Sequence, residues 1–171
     1  MPAVPVDVRV DRADFRAFFR QHPAGVAVIT LNSADAGAGP VGFTATSFTS
    51  VSADPPLATV ALDRGSTSWP HLHAARTVVV NLLGADGPEL ARRFATSGID
   101  RFAAPTRWRR LPTGEPVLDE AAHWLRASVA ELVPVGDHEL AVLLIEQIQV
   151  GPEAPGLVYH DGGFAAVTGR A

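Results

Sequence analysis

The chain lacks two residue types on which much enzyme chemistry depends: none of its 171 residues is a cysteine or a lysine. Without cysteine there can be no disulfide framework, no thiolate metal site and no cysteine nucleophile. Without lysine, a Schiff base and the phosphate-binding lysine of a P-loop are excluded. The basic residues are therefore all arginines, and the formal net charge of −4 argues against a protein that binds nucleic acid non-specifically.

Long apolar runs are also missing. No stretch approaches the roughly 20 apolar residues that a membrane-spanning helix needs. The first residues, MPAVPVD, have neither the basic start nor the apolar centre of a signal peptide. We therefore expect a cytoplasmic protein with no membrane contact. Because 171 residues are enough for one core and no linker divides them, we predict a single domain over residues 1–171, with residues 1–10 as a flexible arm.

Apolar alternation and turns rich in glycine and proline predict a mainly β protein. The connections are too short for repeated crossover helices, so the sheet should be antiparallel, and closure into a barrel would cover its apolar edges. We expect seven or eight strands and two or three short helices, the first capped by Asp11. The predicted strands cover residues 25–31, a stretch from residue 41, and residues 57–63, 76–83, 123–133, 138–150, 157–160 and 164–167. The predicted helices lie before His22, at 69–75 and at 86–96, and residues 97–120 are predicted to be irregular.

One short stretch, GFTATSFTSVSADPPL at residues 42–57, is rich in hydroxyl groups. It begins like a strand, and we expect Asp54-Pro55-Pro56 to end it in an extended, unpaired exit because proline cannot donate to a sheet ladder. Hydroxyls and backbone amides can bind a phosphate and the polar rim of a flat ring without using a charge. The alternative interpretation is a polar strand end followed by a turn.

The histidines offer one candidate for ligand contact. Gly136-Asp137-His138 is a tight turn that enters a strongly apolar strand, so the imidazole is held at a rim where it can hydrogen-bond a ligand or change charge near neutral pH. A turn histidine in solvent is the alternative. His71 and His73 are two apart on a predicted helix and do not share a face, so we predict no metal site there and none elsewhere in the chain.

The other charged groups and one glycine pattern are more ordinary. Glu115, Asp119 and Glu120 are expected to form a solvated turn and cap. GAGPVG at residues 37–42 matches the dinucleotide pattern G-x-G-x-x-G, but a β-rich run follows it instead of a helix, so we assign no dinucleotide site to it. A cluster of arginines is expected to be a solvated face, although one or two of its members could pair with a ligand phosphate. The cluster consists of Arg92, Arg93, Arg107, Arg109 and Arg110.

In their order and spacing, these segments resemble the flavin reductase family, the small reductase partners of two-component flavin-dependent monooxygenases. The similarity covers nearly the whole chain, from GVAVIT at residues 25–30 and the hydroxyl-rich stretch to LVYH at residues 157–160. Between them lie DRGSTS at 63–68, VNLL at 80–83, LARRFA at 90–95, DRF at 100–102 and GDH at 136–138. The resemblance implies an FMN-binding split β-barrel, usually a homodimer with flavin near the subunit interface.

The resemblance also implies roles for individual residues. Contacts with the ribityl chain and phosphate are implied for Thr44, Ala45, Thr46 and Ser47. Backbone contacts along the isoalloxazine edge are implied for Ser50, Val51 and Ser52. Contact with the phosphate end of the flavin is implied for Asp63, Ser66, Thr67 and Ser68. A position near the flavin is implied for Arg93 and Phe94. The nicotinamide side is implied for Gly136, Asp137 and His138, with His138 as the catalytic residue beside NAD(P)H.

The implied activity is reduction of FMN or FAD by NADH or NADPH, with the reduced flavin passing to a partner monooxygenase. Such an activity suits a chain without cysteine or lysine, because hydride transfer between two stacked rings depends more on position than on acid–base groups. One alternative is a non-catalytic flavin-binding electron carrier of the same fold. Another is a split-barrel protein with a pyridoxal-type or deazaflavin-type ligand, and the last is a purely structural β-barrel.

Overall fold

Twelve strands and three short helices make up residues 9–168, the part of the chain that the computed structural model describes. In chain order they are α1 (Arg12–Arg20), β1 (Ala24–Gly25), β2 (Ala27–Leu31), β3 (Val41–Ala45), β4 (Thr49–Ala53), β5 (Pro56–Asp63), α2 (Trp69–Ala74), β6 (Thr77–Leu82), α3 (Pro88–Ala95), β7 (Trp108–Arg110), β8 (Pro116–Leu118), β9 (His123–Val135), β10 (His138–Gln149), β11 (Leu157–His160) and β12 (Gly163–Ala166). The three helices and the long strands agree with the sequence-based prediction, from which β4, β7 and β8 are absent. Residues 1–8 of the expected flexible arm lie outside the described residues.

The main sheet has seven strands in the order β3-β2-β6-β9-β10-β5-β4, and every neighbouring pair is antiparallel. Its inward side chains form one buried core, to which five different strands contribute Ile29, Phe43, Val60, Val80 and Leu143. The sheet thus curls around a single interior, and within residues 9–168 no ladder joins its two edges, β3 and β4. This confirms the predicted mainly β, antiparallel fold and gives it the form of a split barrel.

The exit from the hydroxyl-rich segment differs from the prediction. Asp54 and Pro55 form a two-residue turn, and Pro56 begins β5 opposite Ala53 of β4. The expected extended, unpaired exit is therefore wrong. A proline at the first position of a strand is tolerated because no amide donor is needed there, so the segment folds back as a hairpin and β4 becomes an edge of the sheet.

Residues 97–120 are more ordered than the sequence indicates. They contain the β7–β8 hairpin, and the Trp108 indole donates to the Phe102 carbonyl at 3.2 Å. Phe102 packs edge to face against both Trp108 and Phe94 in a second core beneath α3. The expectation that Glu115 is solvated is also wrong, because this carboxylate is 2% exposed and pairs with Arg126 of β9.

Helix α1 lies on the surface. Asp11 caps it as predicted, with its Oδ1 accepting from the Asp14 amide at 2.8 Å. None of its side chains is buried, and Phe15, Phe18 and Phe19 are between 50% and 72% exposed. Across residues 9–168, no helix combines the length and the apolar character needed to cross a membrane.

A small sheet, β1-β11-β12, completes the fold. Asp161 and Gly162 form the predicted turn between β11 and β12, with φ values of 46° and 81° that these two residue types tolerate. The turn makes Tyr159 and Phe164 cross-strand partners, and their ring centroids are 5.3 Å apart. The hairpin therefore presents a pair of aromatic rings at one end of the molecule.

Candidate functional site

The hydroxyl-rich segment forms the corner between β3 and β4, and part of it is used to build that corner. Thr44 Oγ1 donates to the Ala91 carbonyl at 2.6 Å. Ser47 Oγ donates to the Ala61 carbonyl and accepts from the Ala61 amide, both at 3.0 Å. Thr46, between them, is exposed and lines a cleft. Thr44 and Ser47 therefore hold the corner in place, and Thr46 lies between them at the surface of the cleft.

Strand β4 continues from this corner as an edge of the main sheet, and among the described residues 9–168 it pairs only with β5. A bulge between Ser50 and Ser52 leaves Val51 without a register partner. Amides that face away from the single neighbour of an edge strand can bind the rim of a flat ring. Ala45, by contrast, is buried in the core, so it can reach a ligand only through its backbone.

Three adjoining clefts, the first two of them lined by α1, form a groove that we call the central groove. Its first cleft, of about 870 Å³, is lined by Asp63 and His138. Its second cleft, of about 650 Å³, contains Thr46 and shares Phe15 and Arg16 of α1 with the first. Helix α1 therefore forms a common wall over the His138 end and the corner segment.

The third cleft, of about 450 Å³, extends the central groove towards α3. It shares Thr46 and Tyr159 with the second cleft and is also lined by Arg92 and Phe164. The central groove thus runs from His138, past Thr46, to Arg92.

His138 stands at one end of the central groove, at the start of β10. Its Nδ1 lies 2.7 Å from Asp137 Oδ1, and this hydrogen bond lowers the pKa of the Asp137 carboxyl below its ordinary value. In a neutral imidazole, a carboxylate at Nδ1 keeps the proton on that nitrogen and leaves Nε2 as an acceptor for a ligand. Asp63 is the cross-strand neighbour of His138, so the fold brings these two predicted site residues together.

The turn after β5 and the turn before β10 are joined by hydrogen bonds. Asp63 Oδ1 accepts from the Gly65 amide at 2.7 Å, and the Arg64 amide donates to the Asp137 carbonyl at 3.1 Å. The Arg64 guanidinium also donates to the Gly136 carbonyl. Asp63 therefore lies beside His138, for which the resemblance implies the nicotinamide side, whereas for Asp63 itself it implies the phosphate end.

The Ser66-Thr67-Ser68 turn lies apart from the central groove. Thr67 and Ser68 line a separate cleft of about 480 Å³ that also includes Arg101. Ser68 is 2% exposed, and its Oγ accepts from the Arg101 guanidinium at 3.0 Å. None of these four clefts in the described chain is lined by both this turn and Thr46.

Arg93 and Phe94 are part of the scaffold. The Arg93 guanidinium donates to carbonyl oxygens of the segment 100–104. Phe94 has no exposed surface and packs in the second core. Contact between these two side chains and a flavin, which the resemblance implies, is therefore not supported by their positions. The neighbouring Arg92 does reach the central groove.

The sequence did not assign Arg16, Tyr159 or Phe164 to a site, and Arg92 stood out only as one of five clustered arginines. These residues come from α1, α3 and the β11–β12 hairpin, which are distant in sequence and meet only in the folded chain. One signal was available, since the predicted turn at Asp161 makes Tyr159 and Phe164 cross-strand partners.

The histidines of α2 contact different partners, as their spacing predicts. His71 Nδ1 accepts from the Ala34 amide at 3.2 Å, whereas His73 Nδ1 lies 3.0 Å from a carboxylate oxygen of Glu139. Within residues 9–168 no group of three or more potential metal ligands comes together.

The central groove has the kinds of group that a flavin nucleotide requires. Thr46 supplies a hydroxyl, Arg92 supplies a cation, and Tyr159 and Phe164 supply flat apolar surface. His138 supplies a hydrogen-bonding group at the opposite end. Hydroxyls and amides suit a ribityl chain, and a guanidinium suits a phosphate. The residues present therefore fit a flavin nucleotide, with room beside His138 for a second ligand.

The fold and groove define an antiparallel split barrel with a nucleotide-sized groove on its surface. Residues 19–168 match the flavin reductase like domain, and the chain belongs to that family. It is also similar to a protein named NADH:FMN oxidoreductase from Rhodococcus qingshengii, with 46% identity over 155 residues, covering 88% of this chain and 79% of the relative.

Two solved structures are similar to the whole fold. One is the NADH:FAD oxidoreductase of Streptomyces globisporus C-1027 in complex with NAD and FAD fragments, which is 30% identical with a TM-score of 0.85 and covers 97% of this chain and 98% of that one. The other is a nitrilotriacetate monooxygenase component B homologue from Mycobacterium thermoresistibile. It is 28% identical with a TM-score of 0.85 and covers 92% of this chain and 87% of that one.

Proposed function

We propose that the protein is an NADH-dependent flavin reductase that reduces FMN and releases it to another enzyme. The observation that carries this proposal is the central groove, in which His138 and Thr46 line adjoining clefts under one helix. The similarity to an NADH:FMN oxidoreductase supports NADH and FMN as the reacting pair. The similarity to a reductase solved with NAD and FAD fragments supports FAD as a second flavin substrate.

The chain contributes position to this reaction, and the bound flavin supplies the hydride acceptor. Thr46 and the free edge of β4 orient the flavin, with Ser50, Val51 and Ser52 along its ring. His138 binds the nicotinamide side through Nε2, and the Asp137 carboxylate at Nδ1 keeps the imidazole in that orientation. Because the two rings must stack at roughly 3–3.5 Å, the groove acts by holding them in register and excluding water between them.

A homodimer is part of the proposal. The exposed phenylalanines of α1, at positions 15, 18 and 19, form an apolar face beside the central groove. Strand β4, an edge of the main sheet, follows the corner whose residues Thr46 and Ser47 line the same groove. A second copy of the chain that packed on this side would bury the apolar face and cover the flavin ring against β4.

The proposed fate of the reduced flavin is transfer to a separate monooxygenase. The similarity to a nitrilotriacetate monooxygenase component B homologue supports a partner of this class. The hydroxyls and amides proposed to hold the flavin ring and ribityl chain carry no charge, which suits a ligand that must leave after each turnover. We propose the cytoplasm as the compartment, where a chain without cysteine needs no disulfide.

Loss of NADH absorbance in the presence of purified protein tests the proposed reaction. The protein is assayed alone and then with FMN, FAD or riboflavin, and the series is repeated with NADPH. Turnover should appear only when flavin is added and should saturate with flavin concentration. A yellow protein that binds flavin tightly and oxidises neither nicotinamide would instead identify a flavin-binding electron carrier.

A further inference from the structure

Arg92 differs from the other arginines of its cluster in what its guanidinium contacts. The other four arginines all donate to oxygen atoms of the protein itself. Arg93 donates to carbonyls of the segment 100–104. Carboxylates accept from two more, Glu120 from Arg107 and Asp119 from Arg109, and Arg110 donates to the Asn32 side chain and the Gly114 carbonyl. Within the described chain, the contact found for the Arg92 guanidinium is with an aromatic ring, Phe164, at 5.2 Å from the ring centroid. A guanidinium that lies over a ring face can still donate its N–H groups to a hydrogen-bond acceptor beside the ring.

The surroundings of Arg92 suit an anionic ligand. The third cleft of the central groove places this exposed cation beside the hydroxyl-bearing residues Thr46 and Tyr159. Tyr159 packs against Phe164, which in turn lies under Arg92, so the aromatic pair holds the guanidinium at the cleft wall. A fork of N–H donors with hydroxyls nearby is the arrangement that binds phosphate oxygens well.

The position of this cleft along the central groove indicates which phosphate it would meet. It is separated from the His138 cleft by the second cleft, which holds Thr46 and Ser47. A flavin whose ring reacts with a nicotinamide near His138 must direct its ribityl chain away from that end. The tail of the flavin then passes Thr46 and reaches Arg92.

We propose that Arg92 binds the terminal phosphate of the flavin nucleotide and so makes the protein prefer FMN to riboflavin. This assignment rests on the proposed function, because it requires flavin in the central groove. It replaces Arg93, whose donors are used by the segment 100–104. The 2′-phosphate of NADPH offers the same chemistry, and the test separates the two sources.

Equilibrium binding, followed by the quenching of flavin fluorescence, tests the assignment without turnover. FMN and riboflavin are titrated into wild-type protein, Arg92→Ala and the control Arg76→Ala, which removes an exposed arginine that lines none of the four clefts. In Arg92→Ala the FMN Kd should rise about tenfold to a hundredfold, which is the effect expected for a lost charged hydrogen bond to phosphate. The riboflavin Kd should stay at the wild-type value, and Arg76→Ala should change neither Kd.

Unchanged riboflavin binding also shows that Arg92→Ala is folded, and Arg92→Lys should recover part of the FMN affinity because it restores the charge without the planar fork. The assignment is overturned if Arg92→Ala binds FMN and riboflavin in the wild-type ratio. It is equally overturned if FMN binding is normal and only the KM for NADPH rises relative to NADH. A wild-type protein that binds neither flavin contradicts the proposed function itself, and with it this role of Arg92.

Discussion

Replacing Glu115 with glutamine should destabilise the fold strongly at neutral pH and far less in acid. The Glu115 side chain is 2% exposed, and its Oε1 accepts from two nitrogens of the Arg126 guanidinium at 2.8 and 2.9 Å. The Thr113 hydroxyl donates to Oε2. Burial by itself would raise the pKa of Glu115, but the hydrogen bonds from Arg126 and from two threonine hydroxyls outweigh it and lower the pKa from 4.5 to about 2.

The size of the effect follows from this pKa. A carboxyl group whose pKa falls from 4.5 in the unfolded chain to about 2 in the folded one contributes about 3 kcal/mol at neutral pH, because one pKa unit corresponds to about 1.4 kcal/mol. Since the folded-state pKa is the lower of the two, this stability is fully present above pH 4.5 and is lost as the pH falls towards 2. Glutamine does not ionise, so the variant lacks this contribution at every pH.

Urea unfolding of the wild type and of Glu115→Gln, from neutral pH down to about pH 3, measures this difference. Asp119→Asn is a matched control in the same hairpin, because its partner Arg109 lies 2.7 Å away in an exposed ion pair worth at most about 1 kcal/mol. The free energy of unfolding of Glu115→Gln should be about 3 kcal/mol below wild type at neutral pH, and the gap should narrow below pH 4.5. A difference in unfolding free energy that is independent of pH, or no larger than that of the control, would show that the lowered pKa of Glu115 does not stabilise the fold.

Three further changes test other parts of the structure. His138→Ala should raise the NADH KM or lower the rate of flavin reduction about tenfold while the FMN Kd is unchanged; a higher FMN Kd with normal NADH kinetics would put His138 on the wrong side of the flavin. Gly42→Ala should lower the free energy of unfolding by about 1–3 kcal/mol, because the added Cβ would lie 2.7 Å from a Phe94 ring carbon and 3.0 Å from the Ile29 carbonyl oxygen. The control Gly39→Ala should have almost no effect, because a Cβ there would have no atom within 4 Å. Phe18→Glu should convert the proposed dimer to a monomer in sedimentation experiments, since Phe18 is 72% exposed and lines no cleft of the central groove; an unchanged mass would exclude this face as the interface.

Much of the fold could be predicted because its strongest signals are local. The hairpin of β9 and β10 follows from two long apolar runs with a glycine turn at Gly136 between them. The β11–β12 hairpin follows from the Asp161-Gly162 pair, whose positive φ values allow the strands to meet directly. In both cases the residues that determine the structure are neighbours in the sequence.

The sequence-based prediction of the fold is wrong where a residue distant in the sequence determines the local structure. Glu115 resembles a solvated turn residue until β9 brings Arg126 against it. Phe102 anchors the stretch 97–120 by packing against Phe94 of α3, a contact between distant residues that no local pattern indicates. The predicted unpaired exit at Pro56 is wrong because a proline that blocks a central strand is compatible with the first position of a strand in a hairpin at the sheet edge.

The candidate site also depends on contacts between residues that are distant in the sequence. Asp63 and His138 are adjacent only because β5 and β10 pair in a particular register, which the sequence does not specify. On α3, the buried positions Ala91 and Phe94 are three apart, so one helix face packs inward and the two arginines between them point in different directions. Arg92 reaches the central groove and Arg93 turns to the segment 100–104, a difference that the resemblance alone did not reveal.

The proposed reaction requires that this chain bring a nicotinamide and a flavin together so that hydride passes between them. Anaerobic mixing of the purified protein with FMN and NADH tests it most directly, with loss of the oxidised flavin absorbance as the signal. FMN should be reduced in proportion to the NADH added, much faster with protein than without, and more slowly when the transferred hydrogen of NADH is deuterium. Flavin that stays oxidised although the protein binds it would show that the chain does not catalyse this transfer.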